Sequence, residues 1–324
     1  MTDSEFRLVQ KARAIGRYRG QSETGTAIPE ITAGPAALAE PGEIYGGEIE
    51  MGNDTVSHQG DCLVSLLASS SRGNAAYIRC GHTHLLIDAG ISCRRIEKGL
   101  RRFGAELSDL DAVFITHEHT DHVSGLPVLL KRTHVPVYTT AETWRAMGPK
   151  VAAYQNCFVQ LPRRLSVGEV QVVPFATSHD AARSVGYSVY HEGCKITLAT
   201  DLGIITPSVM AAAAWSDILI LEANHDEELL RHGPYPYALQ QRILGPQGHL
   251  SNTTAAQFLA QLPRRSLTKV LLAHRSEHNN TPAITVHTMR RVLADCGVVI
   301  GQDVLLRLAS ASGSVHFQSG GNVL

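Results

Sequence analysis

Four side chains able to ligate a metal ion, His117, His119, Asp121 and His122, fall within six consecutive positions of THEHTDH, residues 116–122. Neutral imidazoles suit zinc, iron or manganese, and a carboxylate among them suits a second, harder position. The run leaves AVFIT, residues 112–116, which reads as a buried strand. A loop at a strand end can turn successive side chains inward, so the spacing argues for one metal-binding loop rather than a surface scatter of histidines. Glu118 alternates away from its neighbours and reads as structural.

Those side chains need a frame, and the surrounding chain alternates strands with helices. CLVSLLAS, AAYIRC and HLLIDAG are successive strands with a tight turn at Gly81–Thr83. Ser92 caps a helix through Arg102, with Ile96, Leu100 and Phe103 on one face and Arg94, Arg95, Lys98, Arg101 and Arg102 on the other. GLPVLLKRT is a helix and PVYTT a strand. In the second half EVQVVPFAT, GYSVYHEG, KITLATD, DILILEAN and KVLLAH are strands. Helices pass through Met210 and Ala214, lie near Glu227 and Tyr237, and span SNTTAAQFLAQL and PAITVHTMRRVLADCG. This alternation predicts a layered α/β architecture with helices outside two central sheets.

The composition is ordinary for a globular chain: 324 residues, 44% hydrophobic and 18% charged, which excludes collagen-like, coiled-coil and wholly disordered classes. A formal net charge of -1 gives no bulk attraction to a polyanion, so any contact with one must be a local patch. No apolar run approaches the roughly 18 residues of a spanning helix, and no signal peptide opens the chain, so a cytoplasmic protein without membrane contact is expected. The six cysteines form no C-x-x-C pair and are expected to be reduced, packed thiols. Residues 1–60, rich in Gly, Pro, Glu, Ser and Thr, read as a flexible extension before a domain over residues 61–324. A docked helix over Glu5–Arg17 is the alternative for its start.

The segment THEHTDH followed by Gly125 and Leu126 resembles the signature of the metallo-β-lactamase fold, an αββα sandwich of two mixed sheets that holds two metal ions. LASSSRGNAAYI, HLLIDAGIS, LEANHDEELL, GPYPYALQQRILGPQGHLSN and LLAHRSEHNNTP are similar to its WalJ/YycJ-like bacterial branch. The likeness runs from about Leu63 to Leu308. It implies that His179 in TSHDA is the next histidine ligand, Asp201 in LATDLG the bridging carboxylate and His274 in LLAHRS the last histidine. One ion would take His117, His119 and His179; the other Asp121, His122 and His274, with Asp201 between. Each added residue ends an apolar strand, where chain ends of one sheet edge converge, although Asp201 alone reads equally well as a cap or turn. Two ions roughly 3.5 to 4 Å apart can share a hydroxide and clamp both the attacking and leaving oxygens. Zinc and manganese both suit the donor set.

Beyond the ligands, His249 in GHLSN is placed like a histidine that donates a proton to the leaving group in phosphodiesterases of this fold; a packed histidine beside an N-cap is the alternative. Ser251, Asn252 and Thr253 open a helix whose N-terminus suits a phosphate oxygen. His225, Asp226, His278 and Asn279 are candidate substrate or supporting contacts. Asp88 reads as a carboxylate that orients a ligand histidine. The loop Ser69, Ser70, Ser71, Gly73 and Asn74 reads either as a close approach to substrate or as a hairpin turn. Arg183, Arg275 and His278 depart from the resembled pattern, and an added charge at Arg183 suits a phosphate.

The resemblance implies a metal-dependent phosphodiesterase, a 5′ to 3′ exonuclease on DNA. The Arg94–Arg102 face, Arg163, Arg164, Arg264 and Arg265 are candidates for a phosphate-positioning patch, a solvated face being the alternative. A thioester or lactone hydrolase on the same metals, which predicts a closed apolar pocket, is the first alternative. A regulatory scaffold with a metal-stabilised fold is the second.

Overall fold

The computed structural model describes residues 61–309 and 315–319. The 1–60 extension and the Glu5–Arg17 helix lie outside the described residues. The first half carries strands β1 (Cys62–Ala68), β2 (Ala75–Cys80) and β3 (Thr83–Ile87), helix α1 (Cys93–Arg101) and strand β4 (Ala112–Phe114). Helices α2 (Thr120–Val123) and α3 (Leu126–Thr133), strand β5 (Val137–Thr139), helix α4 (Ala141–Met147) and strand β6 (Phe158–Gln160) follow. The second half runs through β7 (Leu165–Val167), β8 (Val170–Ala176), β9 (Val185–His191), β10 (Cys194–Ala199), α5 (Pro207–Ala213), β11 (Ile218–Glu222), α6 (Glu227–His232) and α7 (Tyr237–Leu244). It ends with α8 (Asn252–Gln261), β12 (Thr268–Ala273), α9 (Pro282–Asp295), β13 (Val304–Leu308) and β14 (Val315–Gln318). None of these helices is long and apolar enough to cross a membrane.

The strands form two mixed seven-stranded sheets, ordered β14-β1-β2-β3-β4-β5-β6 and β13-β12-β11-β10-β9-β8-β7. Within a strand, successive side chains face opposite ways, and both faces here are covered. In β3, Leu85 and Ile87 enter the core between the sheets while Leu86 packs outward on Ile96, Leu100, Leu126 and Leu130 of α1 and α3. In β11, Ile218 and Ile220 face the other sheet while Leu219 and Leu221 pack with Phe258, Leu259, Met289 and Leu293 of α8 and α9. Such strands read as continuous apolar runs, and the αββα sandwich expected from the sequence is the architecture observed. The helix starts are set locally: the side chains of Ser92, Thr140, Thr206, Asp226, Ser251 and Thr281 each accept a backbone N–H of the first turn.

Strands β10, β11 and β12 are parallel, and β8 runs the same way because β9 is antiparallel to both β8 and β10. Their C-terminal ends therefore gather at one edge of the second sheet. In the first sheet β3 and β4 are likewise parallel and end together. The strands β6, β7, β13 and β14 were not read from the sequence: they are short and only partly buried, unlike the equally short β4, so they lack its continuous apolar run. One expectation is corrected: Cys62 and Cys80 are register partners across β1 and β2, with Cα atoms 4.2 Å apart, and form a disulfide. Their pairing follows from strand register, which cysteine spacing does not reveal. Cys93, Cys157 and Cys194 are buried thiols and Cys296 is exposed.

Candidate metal centre

The gathered strand ends bring the seven expected ligands together. His117 Nε2 lies 3.1 Å from His119 Nδ1, which lies 3.3 Å from His179 Nε2. Beside this triad, Asp121 Oδ2 stands 3.4 Å from both His122 Nε2 and His274 Nε2. Asp201 lies between the groups, Oδ2 at 3.6 Å from His122 Nε2 and Oδ1 at 3.8 Å from His179 Nε2. His117, His119 and His179 form one set of converging donors, Asp121, His122 and His274 another, and His117, His122 and Asp201 a third that joins them.

This donor set fits divalent metal ions. Asp201 is buried, and its Oδ2 meets no hydrogen-bond donor although it faces imidazoles. A buried carboxylate oxygen left so is costly unless a cation completes it. The backbone agrees: Asp88, Asp201 and His274 have φ of 61°, 57° and 51°, the left-handed region that side chains rarely adopt and that clusters at functional sites. Burial disfavours a charged His122, yet Asp201 and Asp88 outweigh it and hold that imidazole well above its ordinary pKa. His274 behaves alike: against burial, Asp201 and bonds to Asp121 and Glu222 raise it to about 10. Burial dominates at His117, which is pushed well below its ordinary value. The field that favours imidazolium favours a metal cation in the same place.

Around the donors, a second layer fixes which ring nitrogen faces inward. Asp88 sits 2.7 Å from His122 Nδ1 and is itself held by the backbone N–H and hydroxyl of Thr116 at 2.9 and 3.0 Å. This is the orienting role the sequence suggested for it. Glu222, not anticipated from sequence, does the same from the other sheet. Its Oε1 lies 2.9 Å from His274 Nδ1 and 2.7 Å from His249 Nδ1, while Oε2 accepts the Leu202 and Leu250 N–H groups at 3.0 and 3.1 Å. Burial would raise this carboxyl, but the neighbouring His249 and His274 bring it down to about 2. The available signal was one acid ending the apolar run DILILE, in phase with the inward-facing Ile218 and Ile220.

The Ser/Gly/Asn loop after β1 proves to be a clamp on the ligands. Asn74 donates its amide to Asp121 Oδ2 at 3.2 Å and its backbone N–H to the Asp121 carbonyl at 2.8 Å. The Ser69 hydroxyl accepts the His274 N–H at 2.7 Å. The approach requires glycine opposite: a Cβ on Gly90 would lie 1.6 Å from the Asp121 carbonyl oxygen.

His249 joins the cluster, its ring 4.9 and 5.0 Å from those of His179 and His274, and its side chain keeps 19% exposure, so that with His119 and Asp121, the latter 24% exposed, it forms the open side of a group otherwise buried. The other expected contacts divide. His278 is exposed. Ser251 is buried and its hydroxyl caps α8, and the buried Asn252 amide pairs with that of Asn280. Those two side chains therefore serve the packing of the helix start rather than standing free for a phosphate. His225 and Asn279 are each 1% exposed, with no hydrogen bond to the side-chain polar atoms of either. Burial lowers His225 to about 4. Glu118 accepts the Ala182 N–H at 2.7 Å, a structural link from the ligand loop to the segment after His179. In the basic candidate patch, Glu97 pairs with Arg101 at 3.0 Å and Arg132 at 2.8 Å, so part of that face is neutralised.

An αββα sandwich with this cluster of imidazoles and carboxylates at its strand ends defines a metal-dependent hydrolase. The beta-lactamase superfamily domain matches residues 83–274, more than half the chain, and the chain belongs to that superfamily. Within it the protein is WalJ/YycJ-like. It is 34% identical over 244 residues to the exodeoxyribonuclease WalJ of Streptococcus pneumoniae serotype 2, covering 74% of this chain and 91% of that one. To the exodeoxyribonuclease YycJ of Bacillus anthracis it is 32% identical over 241 residues, with the same coverage of 74% and 91%. The solved metallo-beta-lactamase fold protein YhfI from Bacillus subtilis superposes with a TM-score of 0.59 at 14% identity, over 80% of this chain and all of that one.

Proposed function

We propose that this protein is a DNA exonuclease that uses two divalent ions, zinc or manganese, and shortens strands in the 5′ to 3′ direction. The observation that carries the reading is the placing of Asp201 between two histidine-rich donor sets, its buried Oδ2 without a donor. Two ions held in such sets can stabilise both the attacking and the leaving oxygen of a phosphodiester, and the curated relatives that share about a third of the residues are exodeoxyribonucleases.

His117, His119 and His179 would hold one ion, and Asp121, His122 and His274 the other, with Asp201 shared. When bound, the pair supplies a nucleophile from water at neutral pH and offsets charge gathering on the phosphoryl oxygens. The chain's own groups do the rest. Asp88 and Glu222 fix the inward nitrogens of His122 and His274, so the donors are placed before substrate arrives. Glu222 also holds His249 by Nδ1, leaving Nε2 to give a proton to the departing 3′ oxygen. His249 and Asp121, 19% and 24% exposed, are the side from which a substrate phosphate would approach.

Digestion of duplexes labelled at either end, with manganese or zinc added, tests the reading beside Asp121→Ala and His179→Ala. Shortening from the 5′ end by wild type alone is expected. A folded, metal-loaded wild type that leaves every DNA intact refutes it, and thioester and lactone substrates then decide the alternative.

A further inference from the structure

The metal centre is flanked by two surfaces of different chemistry, each tied to the ligand loops by hydrogen bonds. On the side of the first donor set, exposed Lys150 reaches the hydroxyl of Thr120, the residue between His119 and Asp121, at 3.4 Å. Exposed Arg183 stands four residues after His179. The Thr143 hydroxyl bonds its carbonyl at 3.2 Å, and Glu118 binds the preceding N–H. The Arg183 side chain is 67% exposed, with Glu142 at 3.6 Å.

After His274 the chain presents aromatic rings beside the Arg72–Glu277 ion pair. Exposed His278 follows that ligand by four residues, and its ring meets Tyr235 edge-on at 5.8 Å between centroids. Tyr235 leads through Pro236 into α7, whose first residue, Tyr237, is 74% exposed. The C-terminal end of this helix is fastened to the centre: the His249 N–H bonds the Ile243 carbonyl at 3.0 Å, and Gly248 O holds His179 Nδ1 at 3.2 Å.

We infer that the cationic side, Lys150 and Arg183, takes the phosphates of the strand entering the centre, and that Tyr237 and the Tyr235–His278 pair stack its terminal bases. This rests on the phosphodiesterase reading above. Bases inside a duplex do not present their faces, whereas those of a single strand stack readily on exposed aromatic rings. The occupant is therefore an unpaired DNA end, either an overhang or a frayed terminus, and Tyr235, Tyr237 and His278 set a preference for it over a blunt, stable end.

The experiment uses full-length, metal-loaded protein and a strand bearing a terminal 2-aminopurine, made resistant to cleavage by phosphorothioate linkages. Stacking on the aromatic side quenches its fluorescence on binding. Tyr237→Ala and His278→Ala should each weaken the quench and raise KM on an overhang substrate by roughly ten-fold, while Tyr237→Phe, which keeps the ring, restores both. Lys150→Gln and Arg183→Gln should each flatten the dependence of log KM on log salt by about 0.7 for a single strand. In the same preparation, wild-type hydrolysis of bis(p-nitrophenyl) phosphate reports on the metal centre alone. If wild type cleaves that diester and DNA, but the tyrosine and histidine variants keep its quench and KM, or blunt and overhang ends are taken equally, the aromatic assignment is overturned and the phosphodiesterase reading stands. Cleavage of neither substrate overturns both.

Discussion

Glu222 and His249 meet Oε1 to Nδ1 at 2.7 Å, and the same carboxylate oxygen lies 2.9 Å from His274 Nδ1. One wholly buried acid at the end of β11 thus orients both an expected metal ligand and the histidine at the rim of the site. Replacing it by Gln keeps the shape but removes the charge that holds two imidazoles. Glu222→Gln should weaken metal binding or activity by about 10 to 100-fold, the usual effect of losing such a partner. Chelator competition and steady-state kinetics measure it; a variant with both parameters at wild-type level would show that the contact is incidental.

The proposed function gives His249 a role separable from metal binding, although its ring nitrogen also lies among donors with Asp201, Glu222 and His274. His249→Ala should keep the wild-type metal content while kcat on DNA falls by about 10² to 10⁴-fold, the range for a lost general acid. The loss should shrink on p-nitrophenyl diesters, whose leaving group departs without a proton. An equal loss on both substrates would argue that His249 positions rather than protonates.

Gly90 gives a test of the clamp on Asp121. The Cβ of Gly90→Ala would collide with the Asp121 carbonyl oxygen at 1.6 Å, and backbone on both sides leaves little room to yield. The variant should lose stability by roughly 1–3 kcal/mol, as overpacked sites do, and bind less metal. Thermal melts with and without added manganese check this, since a ligand that binds only the folded state raises its stability. Unchanged melts and metal content would sink the close-approach argument.

Burial of His225 predicts a pH effect. Its pKa is lowered from the ordinary 6.5 to about 4 in the fold, so between those values the unfolded chain binds the proton and the folded chain does not. Stability from this group is full above about pH 6.5 and is lost as pH falls toward 4, by up to about 3 kcal/mol. Denaturant titrations at pH 7 and pH 4.5 should show a smaller difference in His225→Gln than in wild type. A variant with the same pH dependence as wild type removes His225 as its source.

Much of the frame and the donor loop was legible locally. THEHTDH carries its own spacing, and an apolar strand ahead of it fixes where the loop begins, so His117, His119, Asp121 and His122 needed no long-range information. Apolar runs such as DILILE and KVLLA read as strands because both of their faces are buried. Helix starts at Ser92, Ser251 and Thr281 were set by a single side chain each.

The tertiary structure decided what depends on two distant segments meeting. Glu222 looked like any acid ending a strand until β11 placed it beside His249 and His274, and the 69–74 loop read equally as a substrate approach or a turn until Asn74 closed on Asp121, 47 residues away. Cys62 and Cys80 pair because strand register sets them opposite one another, a relationship invisible in their spacing. Ser251 and Asn252, plausible phosphate contacts by type, were claimed by a helix cap and by Asn280. Residue type and local period set the chemistry a side chain is capable of; which partner saturates its hydrogen bonds and charge is settled only when the chain folds, because a buried polar group takes whichever partner the packing brings within about 3 Å.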